Sequence, residues 1–438
     1  MKYYMVGIKG AGMSALALLL SDLGYNIVGY DDAKDHRFTE DKLLERGIKI
    51  YTGPNHEMDL ETVVIYSSAL KLNEHPELIK AQEMNLKIYE YQEMLGRLTK
   101  KYKTICISGC HGKTTTTALM SHIIDTMFGC NYLIGDGVGH GNKSSDTFIL
   151  EACEYRRHFL AYTPEYVIIT NIELDHTDYY KDINDMILAY EEFANKAEKM
   201  VIACGDDSYT HLLEVKPQIF YYGLNDDNDI QARDVEYRKD GTSFDVFVED
   251  EYYGHFDLPL YGKHMLLNAL AVISLCHYER LEAKEVAKIL KTFKGAERRF
   301  KEEVIGNNII IDDYAHHPTE VRVTIKAARQ KYPDKKIIAV FKPHTFSRVS
   351  EFALEFANAL NLADKAFVMD INYDREKPSD YPGINAYTII DKLDNGDYIE
   401  LGMAKKLLEY ENAVILFMSS KEIYLLEDEY KNLLLNKN

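Results

Sequence analysis

Short β-rich apolar runs recur along nearly the whole chain: "YYMVGI", "NIVGYD", "TVVIYSSA", "KTICISG", "TFILEAC", "YVIITNI", "KMVIACG", "NIIIDD", "KIIAVFKP", "KAFVMDI" and "AVILFMSS". Helical patterns fill the gaps, and this alternation is the signature of βαβ units around parallel sheets. The chain therefore reads as α/β. Its 438 residues are enough for about three domains. Between residues 217 and 260 the texture changes to polar–apolar alternation with turn signals, as in "GTSFDVFVEDEYYGHFDLPL", which predicts a small antiparallel sheet in the middle section. The runs "GRLTKKYK" and "KTFKGAERRF" read as linkers and set domain limits of 1–98, 99–294 and 295–438.

Charge narrows the partners. With 51 Lys+Arg against 70 Asp+Glu the formal charge is −19, which argues against nucleic acid but leaves room for small phosphorylated ligands in local pockets. The six cysteines are scattered without a Cys-x-x-Cys pair, so neither a zinc site nor a disulfide framework is indicated and a reducing cytoplasm fits. No apolar run reaches the length of a membrane span, and the amino terminus reads as strand, turn and helix, not as a signal peptide.

Two Gly-rich turns carry phosphate chemistry. Gly10, Gly12 and Ala15 satisfy the G-x-G-x-x-G/A spacing, in which backbone amides approach a diphosphate at a helix amino terminus. Asp31 and Asp32 follow the next strand, where a ribose-binding acid would sit. This fingerprint alone does not separate a nicotinamide cofactor from another nucleotide diphosphate. The second turn, Gly109-Cys110-His111-Gly112-Lys113-Thr114, follows "KTICIS" and opens a helix. Its amides and Lys113 would meet triphosphate oxygens while Thr114 reaches Mg²⁺, although it is two residues shorter than the common phosphate loop. Cys110, among loop amides at a helix amino terminus, is expected to ionise easily and react when the site is empty.

Further strand ends supply acids and imidazoles. Glu151 ends "FILE" and His176 ends "YVIITNIELDH", so an open parallel sheet would gather Lys113, Thr114, Glu151 and His176 in one crevice. In the last third, "IIIDDYAHHPTE" brings Asp312, Asp313, Tyr314, His316 and His317, and "FKPHTFSR" brings His344 and Arg348. These could bind a carboxylate substrate beside an amine nucleophile. The tandem His316 and His317 would suggest a metal only with a third ligand, which the sequence does not place.

The short loop, "EACEYRRHFL", "TNIELDH", "GKHMLLNAL", "ERRF", "DDYAHHPTE" and "FKPHTFSR", in that order, resemble the Mur ligases from the first Gly-rich turn to at least residue 385. The resemblance implies three domains: a Rossmann-like one for a UDP-sugar, a central ATPase, and a Rossmann-like carboxyl-terminal one for the amino acid. It implies UDP-sugar contacts at Gly10, Ala11, Gly12, Met13, Ser14, Asp31, Ser67 and Ser68. ATP contacts would come from Gly109, Cys110, His111, Gly112, Lys113, Thr114 and Thr115, with His264 and Asn268 on the adenine side and Arg299 and Asp313 on the phosphate and ribose side. Thr114, Glu151 and His176 would hold Mg²⁺ or Mn²⁺. Tyr314, His316, His344 and Arg348 would line the amino-acid pocket.

The activity implied is ATP-driven amide formation between UDP-N-acetylmuramate and L-alanine through an acyl phosphate, with Lys113, Glu151, His176 and His316 as the catalytic set and His316 assisting amine deprotonation. Oligomeric state is left as monomer or dimer. Three departures stand out: Cys110 where the family usually has Thr, Met265 where Asn often follows the His, and "FMSSKEI" in place of "F-M-G-A-G-D-I". The last, around Met418-Ser419-Ser420-Lys421, bears on amino-acid choice. A ligase for another amino acid or a recycled tripeptide is the nearest alternative, and a nucleotide-binding regulator without turnover the next.

Overall fold

The computed structural model describes residues 2–53, 57–296, 299–373 and 376–436. Glu297 and Arg298 of the "ERRF" motif lie outside them. Three sheets divide the chain in sequence order.

The first is all parallel, with strands in the order Lys49–Tyr51, Asn26–Tyr30, Lys2–Val6, Thr62–Tyr66, Lys87–Glu90. The order reverses between Lys2–Val6 and Thr62–Tyr66, and a crevice at such a switch point is where open sheets bind ligands. Gly7 and Ser67 sit there side by side: a Cβ on Gly7 would lie 2.9 Å from that of Ser67. The helix Ala11–Asp22 packs one face of the sheet with Leu16, Leu18, Leu19 and Leu20 buried.

"GRLTKKYK" is only partly a linker. Helix Tyr91–Thr99 runs through its first half because Glu90 and Glu93 form a capping box and Met94, Leu95 and Leu98 bury an apolar face. Gly96 is required there, since a Cβ would lie 2.4 Å from the carbonyl oxygen of Ala161.

The second sheet has ten strands. Its parallel body runs Gln218–Gly223, Met200–Cys204, Tyr166–Ile169, Lys103–Ser108, Thr147–Glu151, Asn131–Ile134. The expected antiparallel strands, Ile230–Arg238, Gly241–Val248 and Glu251–Leu258, are joined to its edge through a two-residue parallel pairing of Tyr222 with Ile230 and Gly223 with Gln231. At the opposite edge the hairpin Asn131–Ile134 and Val138–His140 lies on the helix Ala11–Asp22. Gly139 permits this contact, because a Cβ would come within 1.9 Å of the Ala15 carbonyl oxygen.

The third sheet orders Lys301–Ile305, Asn308–Asp313, Val414–Met418, Ile337–Phe341, Lys365–Val368, Gly396–Tyr398, parallel except for the first pair. No helix among the described residues is long and apolar enough to cross a membrane.

Candidate active site

Strand Lys103–Ser108 lies between Tyr166–Ile169 and Thr147–Glu151, so three adjacent carboxyl ends open on one crevice. The phosphate loop leaves the middle strand and enters helix Lys113–Phe128 through Gly112, whose φ of 85° suits glycine. A Cβ there would also meet Asn268 Oδ1 at 2.5 Å. Helix starts leave their first amides unpaired, so Lys113, Thr114 and Thr115 can face an anion. The amides of Cys110 and His111 are not available as expected: they donate to the Asn171 carbonyl and to Asn171 Oδ1, at 3.2 and 2.9 Å. The sequence reading missed Asn171, which braces the loop from the neighbouring strand end.

The acids sort into two pairs. Glu151 accepts from the Thr114 hydroxyl at 3.2 Å and from the Gly135 amide at 2.8 Å. His176 stands beside a second acid, its Nε2 3.5 Å from Glu154 Oε1. Glu154, also missed, is the central group: its Oε2 lies 2.8 Å from Lys113 Nζ. Burial alone would raise the Glu154 pKa, but Lys113 and His176 hold it below the ordinary range. Burial would likewise lower Lys113, and Glu154 reverses that. The Thr114 hydroxyl and the Glu151 carboxylate, 3.2 Å apart, are oxygen donors that suit a magnesium ion beside a triphosphate.

Two cavities flank this pair. A cleft of about 450 Å³ is lined by His111, Gly112, Thr115, His264, Asn268, Arg299 and Asp313, so the ATP residues expected from three distant segments meet. Burial and then Arg299 lower His264 to about 4, and its Nδ1 is buried without a hydrogen-bond partner among the described residues. Asp313 is raised by burial to about 6, although Arg299 opposes this.

The second cavity, about 180 Å³, brings together His176, Tyr314, His316, His344 and Arg348, with Asp175 and Lys421. Arg348 is committed to Asp175, with Nη2 2.7 Å from Oδ1, and both side chains are 7% exposed. Burial would raise Asp175, but Arg348 holds it well below the carboxylate range.

On the wall of the first cleft, which Glu173, Thr319 and Glu320 also line, the carboxyl-terminal unit touches the central one. Helix Pro318–Lys331 starts with His317 as its cap and Glu320 completing a capping box. Thr319 Oγ1 reaches the Glu173 carboxylate at 2.8 Å, and His111 stands between Glu173 and Glu320 at 3.0 and 3.3 Å. Burial would lower His111, but these two acids raise it to about 10.

Two further expectations are corrected. Cys110 is buried, its thiol donates to the Glu173 carbonyl at 2.9 Å, and burial pushes its pKa well above that of a free thiol. Burial and the raised pKa both oppose formation of the reactive thiolate. Asp31, 7% exposed, spends its carboxylate on the amides of Lys9 and Ala33 at 2.8 and 3.0 Å, so it braces the first Gly-rich turn. Beside that turn, Met13 and Ser14 are buried in the helix, while Gly10, Ala11, Gly12, Ser67 and Ser68 remain partly accessible.

Three family models tile the chain: a Mur ligase family catalytic domain over residues 2–103, a Mur ligase middle domain over 107–276 and a Mur ligase glutamate ligase domain over 298–420. The chain belongs to the Mur ligase family. Among solved structures it is similar to the UDP-N-acetylmuramate-alanine ligase of Thermotoga maritima, with TM-score 0.80, 25% identity and 100% of both chains covered. The murein peptide ligase of Psychrobacter arcticus shares the fold, with TM-score 0.71, 19% identity and 100% and 99% of the two chains covered. So does the MurF ligase of Thermotoga maritima in complex with ADP, with TM-score 0.62, 16% identity and 94% and 96% covered. Membership supports an ATP-dependent amide ligase acting on a peptidoglycan precursor.

Proposed function

We propose that this Mur ligase joins L-alanine to the lactyl carboxylate of UDP-N-acetylmuramate in the cytoplasm, releasing ADP and phosphate. The observation that carries the reading is the Lys113–Glu154–His176 series, which links the nucleotide cleft to the second cavity. The likeness to an alanine ligase over the whole chain supports the choice of substrates.

In this reading the switch-point crevice of the first sheet, around Gly10, Gly12, Ser67 and Ser68, receives the UDP group. The carboxylate attacks the γ-phosphorus of ATP and the bond to ADP breaks, giving an acyl phosphate. A carboxylate is already an anion, so this step needs positioning and charge neutralisation more than a base. Lys113 and the first amides of its helix supply both. Thr114 and Glu151, with His176 as the resemblance implies, would hold magnesium, which when bound neutralises charge on the phosphates. The amine then attacks the acyl carbon, phosphate leaves, and the nitrogen gives up its proton. His316 lines the cavity that receives the amine and is the group assigned to take that proton. Contacts of the carboxyl-terminal unit with Glu173 and Asp175 keep water from the mouth of the site.

A second reading keeps the chemistry and changes the amine. Ser420 and Lys421 line the same cavity, which makes another amino acid or a tripeptide the competitor. ADP release with Mg-ATP and UDP-N-acetylmuramate, offered L-alanine, glycine, L-serine or a muropeptide tripeptide in parallel, tests both. Release that needs the UDP-sugar and L-alanine together is expected. Release with only another amine overturns the alanine assignment, and none with any amine overturns the ligase reading.

A further inference from the structure

His111, Glu173 and His317 meet where the central and carboxyl-terminal units touch. His111 Nε2 lies 3.0 Å from Glu173 Oε2, and His317 Nδ1 lies 3.9 Å from the same oxygen. One donor atom from each residue lies within 4.8 Å of the other two, and the imidazole centroids are 4.6 Å apart. Such spacing needs only a small inward adjustment to surround one ion, whose nitrogen and oxygen ligands stand about 2.0–2.2 Å from it.

The surroundings are those of a built site. Glu320 Oε1 stands 3.3 Å from the second ring nitrogen of His111, the place of the outer carboxylate that orients a metal-bound imidazole. Thr319 Oγ1 fixes the Glu173 carboxylate at 2.8 and 2.9 Å. His317 is 2% exposed, so the ring is held in place by the packing around it, with Nδ1 on the side of Glu173.

We infer that His111, Glu173 and His317 form a site for a divalent transition metal of the zinc class, clamping the carboxyl-terminal unit onto the central one. Two imidazoles and a carboxylate suit Zn²⁺ or Co²⁺, whereas Mg²⁺ favours oxygen donors such as Thr114 and Glu151. As the ion enters, the proton held on His111 between Glu173 and Glu320 leaves to solvent, and His317 Nδ1 gives up its 3.4 Å bond from the Thr319 amide. Because His111 belongs to the phosphate loop and His317 caps the helix Pro318–Lys331, the bound ion ties the loop to the other unit and slows separation. The site is independent of which amine the enzyme uses.

Titration of the full chain with Co²⁺, in excess Mg²⁺ that occupies the oxygen donors, tests this by visible absorption. Strong bands of four- or five-coordinate cobalt are expected, weakened at least about tenfold in affinity by His317→Asn and by Glu173→Gln. Asparagine preserves a helix cap while removing the ring. Zn²⁺ should raise the melting temperature of the native protein and of neither variant. Absent bands, or bands and a thermal shift unchanged in both variants, would overturn the site. If His317→Asn fails to fold by circular dichroism, Glu173→Gln alone decides.

Discussion

Glu154 Oε2 lies 2.8 Å from Lys113 Nζ, with the glutamate side chain 1% exposed and the lysine 13%. The other oxygen of Glu154 is 3.5 Å from His176 Nε2, so one carboxylate joins the phosphate loop to the cavity assigned to the amine.

Removing that charge strands a buried lysine. Breaking a buried pair from one side costs about 3–5 kcal/mol, so Glu154→Gln should lower the melting temperature markedly and reduce turnover by roughly a hundredfold or more. Glu151→Gln leaves the lysine pair intact and should cost less stability. Thermal melts and ADP release on both variants check this, and equal stability for the two would contradict the pairing.

Lys421 lines the second cavity, and on the proposed reading its ammonium contacts the carboxylate of the amino acid. A hydrogen bond to a charged group is worth about 1.5–3 kcal/mol, so Lys421→Ala should raise KM for the amino acid about tenfold or more while leaving KM for ATP unchanged. Steady-state kinetics with each substrate varied in turn separates the two.

The His111 bridge predicts a pH dependence. Its pKa is about 10 in the folded protein against 6.5 ordinarily, so the stability it contributes is fully present below 6.5 and is lost as pH rises through about 10. With metals chelated, the stability difference between the native protein and His111→Asn should shrink across that window. A difference that stays flat would contradict the bridge.

Cys110 should resist iodoacetamide with or without Mg-ATP, since its thiol is buried and its pKa is raised. Cys153 is the exposed cysteine, but burial of its thiol and the nearby Glu154 push its pKa up to about 12, so any label should appear there and only slowly. Peptide mapping reads this directly.

Gly139→Ala places a methyl against the Ala15 carbonyl, where the ideal Cβ position is 1.9 Å from the oxygen. The hairpin must then lift from the helix Ala11–Asp22. Calorimetry should show a destabilisation of about 1–3 kcal/mol or more, with the first unit melting apart from the central one.

How much of this was legible follows from the length scale of each signal. Strand–helix alternation is local and periodic, and it gave the three α/β units; turn residues marked Gly112-Lys113-Thr114 as a helix start below a strand. The shared crevice of Gly112, His264, Arg299 and Asp313 was reachable only through the family resemblance, because those residues are far apart in sequence. Glu154 escaped because it lies three residues past the strand end, where Arg156 and Arg157 adopt φ of 52° and 57° and turn the chain. Nothing periodic reports such a turn. The Asp175–Arg348 pair is separated by 173 residues and leaves no local trace. Cys110 was misread because the helix-terminus argument holds for an accessible thiol, and burial outweighs it here.

Atom transfer tests the central claim most directly. UDP-N-acetylmuramate labelled with ¹⁸O in its lactyl carboxylate is incubated with Mg-ATP, L-alanine and the enzyme, and the released phosphate is analysed by mass spectrometry. An acyl phosphate attacked by the amine at carbon leaves one labelled oxygen on phosphate for each amide formed. Phosphate carrying no label, with its new oxygen taken from water, would contradict the account.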